Sequence, residues 1–290
     1  MIPNKTPSII LITGCSSGFG LLTAVALAAK GNIVYATMRD TSRQNDLLTA
    51  ATKHGCHVIV RPLDVTKPNE IKNVVDEIVT THRRIDVLIN NAGYGLGGFF
   101  EDLTEEEIRA QMETNFFGVQ AVTRAVIPIM RHYKQGKIIN ISSIAGLCGT
   151  PSLGAYNASK WALEGFSESL YHELSLFGIK VVLVEPGSYP TKIFTDNAKY
   201  AQNFNNPQSP YYQLSQQLRA FVLKSKQIAV KDPWEVVWLI ERIVRMKNPK
   251  LRYISDFQSW LRVFIGKLLP ASVYNYIFRK VIYGNKANSL

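Results

Sequence analysis

The chain passes from a first apolar segment, residues 8–12, into a first helical segment at Thr13-Gly14-Cys15-Ser16-Ser17-Gly18-Phe19-Gly20. Glycine at three positions of such a junction permits a tight turn and lets the main chain approach a bound group closely. The N-terminus of the following helix offers N–H groups and a positive dipole to an anion such as a pyrophosphate. The junction therefore predicts a strand–turn–helix unit suited to a dinucleotide.

Apolar segments of strand length alternate with segments of helical periodicity beyond this junction. The predicted strands are rich in Val and Ile and apolar nearly throughout, which is typical of parallel strands covered on both faces. They span residues 9–13, 33–38, 57–63, 87–90, 137–142 and 180–185, with helices such as 21–30 and 161–176 between them. This pattern predicts an α/β fold, a single Rossmann-type doubly wound parallel sheet with helices on both faces and a helical C-terminal extension.

Charge divides the chain of 290 residues into two parts. Residues 1–198 hold 18 basic and 18 acidic side chains, whereas residues 199–290 hold 15 basic and 4 acidic ones, which is the whole net charge of +11. We predict that 1–198 form the dinucleotide-binding and catalytic core. Residues 199–290 are predicted to add a substrate lid, including a loop at 201–210, and basic amphipathic helices to the same domain.

The three cysteines indicate a reducing compartment. Cys15, Cys56 and Cys148 are odd in number and widely spaced, and they form no metal-ligand pair, so we expect no metal site. The first apolar segment is too short for a secretory signal and is followed by no small-residue cleavage pattern. A cytoplasmic location is the expectation.

A second set of residues lies far along the chain. Tyr156 and Lys160 are four residues apart in a predicted helix and so project from the same face. The chain holds, in order, the glycine-rich turn, the segment Asn90-Asn91-Ala92-Gly93, the helical Asn115, and Ser143 ahead of Tyr156-Asn157-Ala158-Ser159-Lys160. This order of motifs resembles the short-chain dehydrogenase/reductase family. The resemblance covers about residues 8–191, and within the family it is closest to the branch of 17β-hydroxysteroid and retinol dehydrogenases.

The resemblance implies roles for four catalytic residues. Tyr156 is expected to be the general acid in reduction and the base in oxidation, with the Lys160 cation favouring its phenolate. Lys160 is also expected to hold the nicotinamide ribose. Ser143 is expected to bind the substrate oxygen and stabilise its developing charge, and Asn115 to hold a water that links Lys160 to solvent.

Further cofactor contacts follow from the same resemblance. The turn residues Gly14, Ser16, Ser17, Gly18, Phe19 and Gly20 are expected at the pyrophosphate. Asp64 and Val65 are expected at the adenine, and Asn91, Ala92 and Gly93 near the adenosine ribose. Pro186, Gly187 and Thr191 resemble the segment that contacts the nicotinamide carboxamide.

The choice between NADP(H) and NAD(H) depends on the end of the second strand. Met38 stands where an acidic residue would bind the adenosine ribose, and Arg39 follows it as a partner for a 2′-phosphate. NADP(H) is therefore the predicted cofactor. NAD(H) stays open as the alternative, since a small shift of the strand end would bring the Asp40 carboxylate to the ribose.

The predicted substrate loop, residues 144–155, is apolar and carries no charge, which favours a small apolar carbonyl or alcohol. The family branch implies a steroid-, retinoid- or lipid-like compound. The alternative function is a non-catalytic nucleotide-binding regulator or sensor on the same fold. Such a protein is expected to lack at least one of the four catalytic residues, and all four are present.

Two amphipathic segments fill residues 257–283. Their apolar positions repeat with helical spacing at Phe257, Trp260, Leu261, Phe264, Ile265, Leu268 and Leu269, and again, beyond Pro270, at Val273, Tyr274, Ile277, Phe278, Val281 and Ile282. Either these helices pack on the core and cap the substrate cleft, or they form a basic surface for peripheral membrane contact. Nucleic acid is not an expected partner. The resemblance also implies pairing into a homodimer or homotetramer.

Overall fold

The computed structural model describes residues 6–191, 193, 197–228 and 231–283, apart from the side chains of 221–228 and 282–283. Seven strands of this part form one sheet in which every pairing is parallel. In chain order the strands are β1 (Ile9–Ile12), β2 (Ile33–Met38), β3 (Ile59–Pro62), β4 (Val87–Asn90), β5 (Leu96–Gly97), β6 (Gly136–Ile141), β7 (Ile179–Glu185), β8 (Lys199–Tyr200) and β9 (Arg252–Ile254). Strands β5 and β8 pair only with each other, outside the main sheet.

The order of the main sheet is β3-β2-β1-β4-β6-β7-β9, so the chain reverses its direction of travel across the sheet at β1. Ile12 at the end of β1 has Ala36 of β2 on one side and Ile89 of β4 on the other. Ligands of doubly wound folds bind beyond the carboxyl ends of the strands at such a reversal. The predicted fold class is confirmed, and the glycine-rich turn follows β1 at this point.

Helices cover both faces of the sheet. They are α1 (Gly18–Ala29), α2 (Asn45–Lys53), α3 (Pro68–His82), α4 (Glu105–Met112), α5 (Gly118–His132), α6 (Gly154–Ser175), α7 (Tyr212–Ile228), α8 (Trp234–Arg245), α9 (Phe257–Leu268) and α10 (Ala271–Tyr283). Helices α1, α2 and α8 share one buried apolar layer, and α3, α5 and α6 share the other.

Side chains of the central strands alternate between these two layers. In β1, Ile10 and Ile12 face the layer of α1, whereas Ile9 and Leu11 face the layer of α3 and α5. Since both faces are covered, every residue of β1 is buried. This explains why the strand sequences show continuous apolar runs and no polar alternation.

Six of the seven main strands match the predictions to within two residues at either end, and the seventh was missed. Strand β9 has only three residues, all half-buried, and it begins with Arg252. It forms the sheet edge by pairing with the carboxyl-terminal half of β7. A short edge strand that includes a charged side chain lacks the apolar run by which the other strands are predicted.

Candidate active site

The glycine-rich turn leads directly into α1, which begins at Gly18 and not, as predicted, near Leu21. Gly14 and Gly18 adopt positive φ angles of 73° and 58°, in the left-handed region that favours glycine. Ser17 precedes the helix with an extended backbone, and its side chain caps none of the first N–H groups. The first turn of α1 therefore presents its amides to a pyrophosphate, and the turn fits a dinucleotide.

Asn91 fastens this turn to the end of β4. Its amide Nδ2 donates to the carbonyl oxygens of Thr13 and Gly14, each at 2.9 Å. A Cβ on Gly20 would lie 2.4 Å from that Nδ2 atom, so only glycine fits here. The geometry makes Asn91 a support of the turn; whether it also contacts the ribose, as predicted, stays a prediction.

Strand β2 ends at Met38, as the sequence predicted, and Arg39 follows it directly. Arg39 and Asp40 are both exposed, and Asp40 Oδ1 accepts the Ser42 N–H at 3.0 Å to cap a short 3₁₀ turn. Hydrogen bonds from the Ser42 hydroxyl and N–H lower the pKa of Asp40. The Asp40 carboxylate is thus engaged in its own turn, and the Arg39 side chain is exposed beside it.

Arg43 is a cofactor candidate that the sequence analysis missed. Its Nη2 donates to Asn197 Oδ1 at 3.3 Å, and Asn197 Nδ2 donates to Ser17 Oγ at 2.9 Å. These bonds place a second guanidinium close to the glycine-rich turn. Only the occurrence of two arginines within five residues after β2 could have suggested it.

Asp64 and Val65 follow β3 and have packing roles in the structure. Asp64 Oδ1 accepts hydrogen bonds from the N–H and the hydroxyl of Thr66, at 2.9 and 2.8 Å. Val65 is buried, and a Cβ on Gly118 would lie 2.6 Å from one of its methyl groups. Their predicted contact with the adenine is not tested by these bonds and stays a prediction.

Tyr156 and Lys160 lie on one face of α6, and both are buried. The Lys160 ammonium lies 5.9 Å from the centre of the Tyr156 ring and donates to the Ile141 carbonyl oxygen at 2.8 Å. Burial lowers the pKa of Lys160 to about 8, against the opposing effect of Glu164. Burial raises the pKa of Tyr156 to about 12, and a hydrogen bond with Ser143 opposes that rise.

Ser143 follows β6 and caps the 3₁₀ turn Ile144–Gly146, where its Oγ accepts the Ala145 N–H at 3.1 Å. The same hydroxyl donates to the Pro186 carbonyl oxygen at 3.4 Å. Strands β6 and β7 are paired neighbours, and therefore they bring Ser143 and Pro186 together at one end of the sheet. Ser143, Tyr156 and Lys160 thus form one cluster, as the sequence predicted.

Asn115 lies in a π-helical turn, Glu113–Phe117, that connects α4 to α5. Its amide group spans the Tyr94 backbone, accepting the N–H at 3.1 Å and donating to the carbonyl oxygen at 3.0 Å. Nδ2 also donates to Ser159 Oγ, on α6, at 3.3 Å. Asn115 therefore connects the loop after β4 to the helix that carries Tyr156; its predicted water stays a prediction.

The segment after β7 packs between the glycine-rich turn and the start of α9, and its predicted contact with the nicotinamide stays a prediction. Thr191 lies against Gly18, where an added Cβ would be 3.7 Å from the Thr191 Cβ atom. A Cβ on Gly187 would lie within 3 Å of Ser259 Oγ and Asp256 Oδ2, so the start of α9 packs directly on this segment. Phe19 meets Tyr189 edge to face, with ring centres 5.7 Å apart.

The predicted lid and the predicted substrate loop are neighbours. Strand β8 pairs with β5, and Gly98, directly after β5, donates its N–H to the Ser152 carbonyl oxygen at 2.8 Å. Aromatic rings gather here, with Phe99 stacked on Tyr211 at 4.5 Å. Within the loop, Cys148 is buried, and the lid segment 201–210 contributes a buried Phe204. Aromatic rings and a buried cysteine therefore accompany the substrate loop, whereas most of the other side chains of 201–210 are polar.

Fold and site together define a class of protein. A dinucleotide turn at the reversal point of a parallel sheet, beside a buried Tyr–Lys pair and a serine, is the arrangement of a nicotinamide-dependent oxidoreductase. The chain belongs to the short-chain dehydrogenase/reductase family, whose model, described as short chain dehydrogenase, matches residues 8–201. It is an oxidoreductase that acts on CH–OH or C=O groups.

Curated relatives match over most of the chain. A 3-ketodihydrosphingosine reductase of Bacteroides thetaiotaomicron is 42% identical and covers 94% of this chain and 97% of its own. Mouse 17-beta-hydroxysteroid dehydrogenase type 1 is 36% identical, covering 86% of this chain and 74% of its own. Bovine retinol dehydrogenase 8 is 35% identical, covering 85% and 80%.

Solved structures agree with this assignment. A short-chain dehydrogenase of Streptomyces avermitilis superposes with a TM-score of 0.80 at 33% identity and covers 96% of this chain and 97% of its own. A metagenomic short-chain oxidoreductase in complex with NADP has a TM-score of 0.67 at 26% identity, covering 85% and 96%. One from Burkholderia phymatum in complex with NAD has 0.77 at 25%, covering 90% and 93%. A nicotinamide cofactor is thus supported.

Proposed function

We propose that this enzyme transfers hydride between NADP(H) and a hydroxyl or carbonyl carbon of an apolar, lipid-like substrate, with Tyr156 exchanging the proton. The observation that carries the proposal is the cluster of the buried Tyr156 and Lys160 with the half-buried Ser143 at the carboxyl end of the sheet. Hydride chemistry belongs to the bound nicotinamide. The chain's own residues bind the substrate oxygen, move the proton and exclude water.

In the protein without bound cofactor, the pKa values of Tyr156 and Lys160 suit proton donation in carbonyl reduction. With a pKa near 12, the Tyr156 phenol keeps its proton at neutral pH and can donate it to the substrate oxygen. To donate a second hydrogen bond to that oxygen, the Ser143 hydroxyl would turn its proton from the Pro186 carbonyl to the substrate. Lys160, with a pKa near 8, is a cation below that pH and favours loss of the tyrosine proton. The rate of reduction should therefore fall as the pH rises through about 8.

The preference for NADP(H) is supported by the end of β2. Arg39 and Arg43 follow the strand, and Asp40 is held in its own turn by Ser42. A guanidinium pairs with a phosphate through charge-assisted hydrogen bonds, whereas a NAD-binding site would present its carboxylate to the ribose hydroxyls. The pair of arginines thus favours the phosphorylated cofactor.

A lipid-like substrate is supported by the wall of the site and by the relatives. The substrate loop is apolar and uncharged, and the buried Phe204 and the stacked rings of Phe99 and Tyr211 lie in the neighbouring segments. The relatives' names refer to a ketosphingoid base, a steroid and retinol, all largely apolar molecules. An apolar pocket with a few polar groups is suited to such a compound.

Turnover with a panel of carbonyls tests the proposal. NADPH and NADH consumption should be followed with a long-chain 3-keto base, a steroid ketone, retinal and short hydrophilic aldehydes. We expect turnover with NADPH on a lipid-like carbonyl and a loss of about 10²–10⁴-fold in Tyr156→Phe, which keeps the ring and removes the proton. Full activity in this variant would contradict the assignment of Tyr156. Cofactor binding without any turnover would favour the nucleotide-binding regulator.

We further propose that α9 and α10 rest on an anionic membrane surface. Their apolar stripe faces outward: Phe257 is 70% and Leu268 is 66% exposed, whereas α9 packs on the protein through Ser259 and Val263. Of the two alternatives that the sequence left open, the exposure of this stripe favours the surface for peripheral contact over packing on the core. No helix among the described residues is long and apolar enough to cross a bilayer, so the contact would be peripheral.

Charge favours an anionic bilayer over a second copy of the chain. Residues 257–283 contain four basic side chains, Arg262, Lys267, Arg279 and Lys280, and no acidic ones. Symmetric pairing of two copies through this face would bring like charges together, whereas anionic lipid complements them. Trp260 and Tyr276, both exposed, are side chains suited to the membrane–water interface.

Vesicle co-sedimentation of the full chain tests this docking. We expect binding to phosphatidylcholine vesicles that contain phosphatidylglycerol, and weaker binding at high salt. The double variant Trp260→Ser/Phe264→Ser should lose it, while Trp238→Ser, which removes a 57% exposed tryptophan from α8, should keep it. Equal binding of the double variant would contradict the proposal. If the unmodified chain did not bind vesicles, and the double variant changed it from a dimer to a monomer, this surface would instead be an interface between two copies of the chain.

A further inference from the structure

A buried cluster of charged side chains lies behind the proton-transfer residues. Glu164 on α6 is one helical turn beyond Lys160, and it is buried. Its Oε1 accepts a hydrogen bond from Ser142 Oγ, and its Oε2 is paired with the Arg252 guanidinium. Arg252 Nη1 also donates to Glu185 Oε1, at 3.1 Å. We call Ser142, Glu164, Glu185 and Arg252 the rear cluster.

Each member of the rear cluster is linked to the active site by one or two short steps. Ser142 directly precedes Ser143 in the chain. Glu185 directly precedes Pro186, whose carbonyl oxygen accepts the Ser143 hydroxyl at 3.4 Å. Glu164 and Lys160 are an i, i+4 pair, a spacing that places their Cβ atoms about 5–6 Å apart. The cluster therefore connects the carboxyl ends of β6 and β7, and the start of β9, to α6 next to the catalytic side chains.

Packing alone does not explain such a cluster. The buried side chains of Glu164 and Glu185 share one guanidinium, that of Arg252. Burying two acidic groups against one basic group costs more free energy than burying apolar side chains of similar size. The space is also closed tightly, since a Cβ on Gly146 would lie 2.9 Å from the Glu164 Cγ atom. A costly, closely fitted arrangement next to a buried lysine points to an electrostatic role.

The charged groups around Glu164 come from three elements. Lys160 and the more exposed Glu168 lie on its own helix, Glu185 on β7 and Arg252 on β9, and the neutral Ser142 follows β6. Burial raises the pKa of both Glu164 and Glu185, the latter to about 7. As the pH rises through this range, the cluster gains negative charge. That charge favours the protonated form of Lys160, whose pKa is lowered by burial.

We propose that Glu164, held by Ser142 and Arg252, is a positioning residue that keeps the buried Lys160 side chain charged and directed at the Ile141 carbonyl. The role of Lys160 in turnover rests on the function proposed above. The effect on the lysine itself does not, and it can be measured without substrate or cofactor.

The first test is the titration of Lys160 in the protein without added cofactor. The ¹³Cε signal of Lys160, assigned by its loss in Lys160→Arg, reports protonation. Glu164→Gln keeps the shape of the side chain and removes its charge, and it should lower the Lys160 pKa by about one pH unit. Glu173→Gln removes the same charge from an exposed position further along the same helix, and it should shift the pKa by less than about 0.2 units.

The second test is the pH profile of kcat/KM. In Glu164→Gln its alkaline limb should move to lower pH by the same amount as the Lys160 titration, with the KM for substrate little changed. If this variant does not fold, Ser142→Ala should give a smaller shift in the same direction, because it removes a hydrogen bond that favours the charged carboxylate. An unshifted Lys160 titration in a folded Glu164→Gln or Ser142→Ala protein would overturn the inference. Absence of turnover in the unmodified enzyme would instead overturn only the proposed function.

Discussion

The turn at residues 13–20 and the α9–α10 pair differ in how far their sequence patterns determine the packing of their side chains. In the turn, space is so restricted that a single methyl group on Gly20 would overlap Asn91 and the Gly14 carbonyl. In α9 the apolar stripe that would ordinarily be buried faces solvent, and a serine and a valine make the contact with the protein. The first pattern has one structural solution. The second leaves the direction of the helix to the rest of the fold and to a partner.

The largest effect should come from Gly20→Ala, which tests how closely the turn is packed. The new Cβ atom would lie 2.4 Å from two polar atoms of the cofactor site. We expect NADPH affinity to fall by at least about 100-fold and the free energy of unfolding by roughly 1–3 kcal/mol. Fluorescence titration and thermal melts measure the two quantities.

Gly165→Ala is the matched control for that substitution. Gly165 lies within α6, and a Cβ there would meet nothing within 4 Å. Alanine should raise the free energy of unfolding by about 0.5–1 kcal/mol and leave NADPH affinity unchanged. Gly20→Ala with intact affinity would show that the turn can shift to make room, and the contrast with α9 would then be weaker.

A smaller effect is expected from the arginines after β2, which sharpen the same comparison at the edge of the cofactor site. Arg39→Ala and Arg43→Ala should each raise the KM for NADPH about tenfold and change the KM for NADH by less than about twofold, because each removes one charge-assisted interaction with the 2′-phosphate. Arg109→Ala, at an exposed residue of α4 paired with Glu105, should change neither value. Equal losses with both cofactors would assign these arginines to the pyrophosphate.

The smallest effect should come from α9. Trp260→Ser/Phe264→Ser, the variant that should release the protein from vesicles, removes two aromatic rings that are each 44% exposed. Since their outer surfaces are already in water, we expect the free energy of unfolding to change by less than about 1 kcal/mol. A loss of several kcal/mol would mean that the stripe is part of the core in solution, and the contrast between the two regions would fail.

Much of the site was predictable because the motifs act locally. Tyr156 and Lys160 share a helical face by their spacing alone, and a glycine-rich turn after a buried strand has few conformations. Arg43 was missed because its connection to Ser17 passes through Asn197, which is 154 residues away in the chain. The rear cluster was missed for a similar reason, since Arg252 enters from a three-residue strand without an apolar run.

The sequence by itself determined the class of fold, the order of the central elements, and the shared helical face of Tyr156 and Lys160, whereas Ser143 was placed with them by the family resemblance. Periodicity and steric limits act between near neighbours in the chain, so these features need no knowledge of distant contacts. Only the tertiary structure decided that Arg43 is joined to the glycine-rich turn through Asn197, that Asn115 supports the loop after β4, and that the stripe of α9 faces outward. Each of these depends on which surfaces meet across the sheet, and burial is a property of the assembled molecule that no local pattern encodes.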